Sequence, residues 1–183
     1  MKKLISVIIL LLFVSGCGSK EKNYEIKNDE QLVQATETYY LEKNKDALYA
    51  IADYLSERQL LSDKDYVLLY QGFFMGVLHD NSQVYGELFE RDNAMSVINV
   101  LKTAKQFSYD MESILDGTQR YYPENTEFLD TMWGYFYATG DERVINKLCY
   151  IRDFDYSQNI RSIAQGSLEA NREKYPDKVK ACK

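Results

Sequence analysis

Proline occurs twice in this chain and glycine nine times. An all-β sandwich draws on both for its many turns, so their scarcity argues against that architecture and for helices. Histidine occurs once, at His79, and no serine sits in a Gly-x-Ser-x-Gly elbow, which leaves a His-based catalytic triad with little support. Positive charge is in short supply: 22 Lys and Arg stand against 28 Asp and Glu, for a formal charge of −6. Such a chain repels phosphate backbones, and nucleic acid is not an expected partner. No apolar run reaches the ~20 residues that a membrane-spanning helix requires. What the chain does hold is enough residues, 183, for one domain with a sizeable core, and an unusual sixteen tyrosines.

The first residues read as a targeting segment. Lys2 and Lys3 form a positive start, and Leu4–Val14 is apolar but for Ser6, as in the apolar region of a signal peptide. Val14-Ser15-Gly16-Cys17 follows. Small residues before a cysteine at that place resemble the lipobox of bacterial lipoproteins. The resemblance implies a signal peptide over residues 1–16, diacylglyceryl transfer to the Cys17 thiol, cleavage before Cys17 and N-acylation of the new terminus. Two or three acyl chains hold a bilayer far more firmly than one. Removal of Lys2 and Lys3 would make the formal charge two units more negative. Gly18 in place of Asp points, by the same resemblance, to the periplasmic side of an outer membrane; in a Gram-positive cell the anchor would lie on the outer face of the cell membrane. Residues 17–28 are expected to be a lipidated terminus and polar tether, and residues 29–183 the folded part.

Past the tether the apolar spacing is helical. Leu32, Val33, Ala35, Thr36, Tyr39 and Tyr40 mark a helix over Asp29–Glu42, and Leu48, Ile51, Ala52 and Leu55 a second over Asp46–Leu60, giving a first hairpin. Ser62 is expected to cap a third helix running to about His79. Gly72 and Gly76 lie four apart on it, each costing ~1 kcal/mol relative to Ala, which suggests a bare face for another helix to approach. A short helix over Gln83–Glu90, one over Ala94–Phe107 capped by Asn93, and a further short one over Tyr109–Leu115 come next. Asn125 or Thr126 is expected to cap the helix that opens the stretch Phe128–Tyr150, which holds the only tryptophan. Gly140 and Asp141 turn that stretch into its second helix. Ser157 should cap a last amphipathic helix, ended by Tyr175-Pro176. Shifting Leu68–Glu90 by sixty positions overlays it on Phe128–Tyr150, helix on helix and turn on turn. The fold expected is all-α, one domain of stacked helical hairpins, α-solenoid-like or an irregular bundle.

The segment FFMGVLHDNSQVYGELF, then LDTMWGYFYATGDERVINKL and IAQGSLEANREKYPDKV, resembles an uncharacterised family of all-helical bacterial proteins with a WGYFYATGD-type segment. That implies a helical fold and brings no mechanism. Tetratricopeptide hairpins are also similar in that Gly140-Asp141 sits at their turn, but Trp133 stands where they place a small residue.

With Cys17 lipidated, Cys149 and Cys182 remain, an even pair in an oxidising compartment. A Cys149–Cys182 disulfide is expected, closing a loop of about thirty residues for roughly 3–4 kcal/mol. His79 reads as a surface residue at a helix C-terminus. The carboxylate groups Asp63/Asp65, Asp110/Glu112/Asp116 and Asp153/Asp155 lack calcium-loop spacing and read mostly as helix starts and turns; no catalytic residue, metal or cofactor is expected. Tyr39, Tyr40, Tyr121, Tyr122, Tyr135, Tyr137 and Tyr150 exceed what a core of this size needs, and a Tyr-rich protein-binding face is the functional reading. The expectation is a membrane-anchored, non-enzymatic scaffold or adaptor that touches the bilayer through Cys17 and binds another envelope protein. The alternatives are an immunity or exclusion lipoprotein against a toxin or phage component, and a cell-wall-acting enzyme.

Overall fold

The computed structural model describes residues 24–91, 93–117, 127–154 and 157–180. Among them the chain forms helices α1 (Asp29–Glu42), α2 (Lys45–Glu57), α3 (Lys64–Asp80), α4 (Val84–Glu90), α5 (Met95–Leu115), α6 (Glu127–Thr139), α7 (Glu142–Asp153), α8 (Gln158–Ala170) and α9 (Pro176–Val179), with a 3-10 turn at Leu60–Ser62 and no strand. The all-α, one-domain expectation is met. No helix among the described residues is long and apolar enough to cross a membrane.

Side-chain caps set many of the boundaries. Asn28 Oδ1 accepts from the Gln31 N–H at 2.9 Å and starts α1. Lys43 turns left-handed at φ 47°, and Asn44 caps α2. Gly140, at φ 71°, donates its N–H to the Phe136 carbonyl at 2.7 Å and ends α6; Asp141 then accepts from the Arg143 N–H and starts α7. Ser157 caps α8 as expected.

Other boundaries differ from the sequence reading. Ser62 lies in the 3-10 turn, and α3 starts at Lys64. Asn93 does not cap α5: its amide donates to the Leu88 carbonyl at 2.7 Å, and Ala94 precedes the helix without a side-chain cap. The two helices expected over 94–115 are one, because Met111 and Ile114 continue the buried stripe of Val97, Leu101 and Ala104. α8 ends at Ala170, before the expected stop at Tyr175-Pro176; Pro176 instead opens α9 from the first turn, where its missing N–H costs nothing. The expected tether ends earlier than residue 28, since Ile26 is buried against the core. Asn125 and Thr126 lie outside the described residues.

The centre of the molecule is the pairing of α3 with α6. Phe73, Phe74, Tyr135 and Phe136 are fully buried there, each worth roughly 1.5–3 kcal/mol of apolar transfer. Gly72 meets Thr131, and Gly76, one turn on, meets Tyr135 and Ala138. The contacts advance along both helices together, so α3 and α6 run parallel, as the first helices of successive hairpins do in a stack. α5 covers the other side of α3, α1 covers α6, and α7 folds back to pack with α8. The chain's end returns to its beginning: Tyr175 stacks near Trp133, with ring centroids 6.5 Å apart, and its hydroxyl donates to the Glu37 carbonyl at 3.0 Å.

Candidate functional site

The C-terminal turn of α3 carries the polar centre of the fold. Arg143, on the first turn of α7, donates to both Glu112 oxygens at 2.9 and 3.0 Å, to Asp141 at 2.5 Å and to Asp116 at 2.5 Å. The buried Tyr135 hydroxyl donates to Glu112 Oε1 at 2.6 Å, and His79 Nε2 lies 3.7 Å from the same oxygen. One cluster thus ties α3, α5, α6 and α7. Burial pushes the Glu112 carboxyl up, but the Tyr135 hydroxyl and Arg143 outweigh it and hold it below the ordinary carboxylate value. Asp141 is held low in the same way, against its burial, by Arg143. The guanidinium is held charged by Asp141 first and Glu112 second, against some desolvation. Burial raises the Tyr135 hydroxyl, and its bond to Glu112 adds to that. Every carboxylate in this cluster has a cation or donor, so the arrangement reads as a structural clamp.

Beside it opens a cleft of about 210 Å³ lined by Leu78, His79, Ser82, Tyr85, Lys105 and Ser108. Tyr85 and Phe89 sit four apart on α4, so they share a face. Their rings stack at 5.7 Å, and Phe89 is 39% exposed. From α5, three residues apart, Lys105 stands 4.0 Å over the Tyr85 ring and Lys102 stands 5.7 Å over Phe89. Cations over ring faces are held by the ring quadrupole, at about 0.5–1 kcal/mol on a surface. The result is an aromatic step, half-buried at Tyr85 and exposed at Phe89, edged by two ammonium groups and open at one end into a recess with hydroxyl and imidazole walls. A second recess, between α2 and the α4–α5 turn, is lined by Asp53, Ser56, Glu57 and Arg91, where Arg91 and Asp53 pair at 2.5 and 3.1 Å.

Among the described residues most of the tyrosines expected to form a binding face turn inward; Tyr150 is exposed, its ring 5.2 Å from that of exposed Phe154. Tyr39, Tyr135 and Tyr137 are core residues, and Tyr40 is half-buried against Phe136 and Tyr175. Adjacent tyrosines find inward partners because the core receives helices from several directions: Tyr39 meets Phe73 of α3 edge-on at 5.2 Å, while Tyr40 turns toward α6 and Tyr175. Tyr121 and Tyr122 lie outside the described residues. A second aromatic surface, partly buried Tyr85 and exposed Phe89 with Lys102 and Lys105, was missed. Their signal was present as an aromatic pair at i, i+4 and a lysine pair at i, i+3, but nothing local shows that α4 and α5 set the pairs against each other.

Of the remaining expectations, Cys17 and Cys182 lie outside the described residues. Cys149 is buried on α7 and disulfide-bonded. His79 sits in the last turn of α3, as read. Glu112 and Asp116 serve Arg143, and Asp153 pairs with Arg152 at 2.6 Å. Among the described residues no group of three His, Cys, Asp or Glu side chains is placed to hold a metal ion. No family model, curated protein or solved structure matches the chain.

Proposed function

We propose that this chain is a lipid-anchored envelope protein that acts as a non-enzymatic adaptor, holding a protein partner on the face made by α4 and α5. The observation that carries the reading is the aromatic step of partly buried Tyr85 and exposed Phe89, edged by Lys102 and Lys105. Aromatic rings that combine apolar area with a polar or cationic edge are the residues that dominate protein interfaces. The envelope placement rests on the lipobox-like run ending at Cys17, which would bring the domain to a membrane surface through acyl chains.

The test is photo-crosslinking in cells from a reactive residue placed at Phe89, with the same residue at Ile163 on α8 as a control and Cys17→Ala as a second. A discrete partner captured from Phe89 and not from Ile163 supports the adaptor and its face. Capture that also depends on Cys17 places the encounter at the membrane. A partner captured only when a toxin or phage component is supplied turns the reading to immunity or exclusion. Capture from Ile163 alone overturns the α4–α5 face.

A further inference from the structure

We propose that the α4–α5 cleft receives an acidic peptide segment, one in which a carboxylate lies close to an apolar side chain. The inference rests on the reading that this face binds a protein, and adds the chemistry of the partner. Charge is the first argument. Lys43, Lys45, Lys174 and Lys178 each hold a carboxylate within salt-bridge distance. Among the described residues Lys64, Lys102, Lys105, Lys147 and Lys180 hold none, and of these Lys102 and Lys105 stand together over one aromatic step, Lys105 lining the recess, in a chain whose formal charge is −6. Both are exposed, and each lies over a ring face, so the two ammonium groups share one side of the aromatic step. An ammonium has three donors and no acceptor. The group that completes it is an anion.

Size is the second argument. Pockets for drug-sized ligands and cofactors run to about 300–1,000 Å³. A recess of about 210 Å³ is smaller and suits one or two side chains. Its walls divide accordingly. Leu78 and Tyr85 offer apolar area, while the Ser82 and Ser108 hydroxyls and Lys105 meet a polar end. Among the described residues no carboxylate lines the recess; Glu112, beside His79, is already engaged by Arg143 and Tyr135, and Asp80 by Lys43.

Shape decides against the other anionic surface that a lipid-anchored protein meets, the bilayer. The site is recessed, and α4 carries exposed Glu87 and Glu90. A flat anionic membrane pressed onto Phe89 would also meet those carboxylates, whereas an extended peptide can pass between them.

The experiment uses the full chain in neutral detergent and fluorescently labelled, end-blocked hexapeptide pools in which acidic and apolar residues alternate. A matching pool carries lysine in place of the acids. Anisotropy should show saturable binding of the acidic pool. The double variant Lys102→Glu/Lys105→Glu should weaken it at least about tenfold and should gain affinity for the basic pool, as charge reversal across an interface does. Lys64→Glu/Lys180→Glu, which reverses two exposed lysines elsewhere, should leave binding unchanged. Absent saturable binding, equal binding in both double variants, or Lys102- and Lys105-dependent binding of phosphatidylglycerol vesicles with no peptide binding would each overturn the inference. A crosslinked partner at Phe89 whose capture survives the charge reversal would leave the adaptor standing and remove its acidic chemistry. Acidic-peptide binding with no partner in cells would do the opposite.

Discussion

Gly134 of α6 faces the backbone carbonyl of Leu69 on α3 so closely that a β-carbon added there would lie 1.8 Å from that oxygen. The relation is reciprocal: a β-carbon at Gly72 would lie 1.9 Å from the Thr131 carbonyl oxygen. Backbones meet directly at this crossing, and the large neighbours Phe73, Trp133 and Phe136 fill the space to either side.

Gly134→Ala should therefore destabilise the fold by at least about 3 kcal/mol, the upper end of overpacking costs, because the obstructing atom is backbone and cannot rotate away. Gly72→Ala should behave alike. Gly166→Ala on α8 meets nothing within 4 Å and should instead stabilise by about 0.5–1 kcal/mol through helix propensity. Denaturant midpoints of the three variants check this. A neutral Gly134→Ala would mean the crossing is looser than described.

High pH should unfold the protein cooperatively. Burial raises the hydroxyls of Tyr39, Tyr70, Tyr135, Tyr137 and Tyr175, Tyr39 up to about 12 with help from Asp80. In the unfolded chain all five ionise near pH ~10. The unfolded state thus binds fewer protons above that pH, so stability is complete below it and falls as pH rises toward 12 and beyond. Phenolate absorbance should rise in two steps, the second coinciding with loss of helical circular dichroism. Smooth titration of every tyrosine with the helices intact would contradict the burial.

At the acid end the sign reverses. Glu112 and Asp141 are held below their ordinary values in the fold, so their contribution is present above the usual carboxylate range and is lost as pH falls through the folded values. Arg143→Ala should cost about 1–3 kcal/mol near neutrality, since it strips donors from half-buried carboxylates. The same variant should lose less on acidification than the parent. Parallel stability–pH curves for the two would show that the clamp carries no linkage.

Removing the bond at Cys149 has a readable outcome. Cys149→Ser should lower the thermal midpoint and free one thiol, and if the other half is Cys182 the loss should approach roughly 3–4 kcal/mol. Equal thiol counts with and without reductant in the parent would exclude the bond.

Much of the helical framework was legible because caps and periodicity are local. Asp141, Ser157 and Gly140 act at positions where one turn of chain decides the outcome. The bare face of Gly72 and Gly76 was legible as a face, but its occupant was not. The residue that crosses α3 beside Gly72 is Gly134, next to the Trp133 that stands where tetratricopeptide hairpins place a small residue. The tyrosines failed for the same reason: sixteen can be counted, but whether Tyr135 points to solvent or to Glu112 is decided by helices distant in sequence. The α4–α5 face was hidden because its two residue pairs belong to different helices.

The parallel alignment of α3 with α6 bears on how the chain comes to be folded at all. Antiparallel neighbours can zip together as they emerge, but parallel ones need an intervening excursion, and here the partner of Leu69 arrives about sixty residues later, which makes the central contact one of high sequence separation. A chain ending after α5 has made α3 and covered one of its sides, yet Phe73 and the two glycines still lack the helix they are shaped for. The face of α3 that carries Gly72, Phe73 and Gly76 is therefore covered only by chain made much later, and Gly134 closes it.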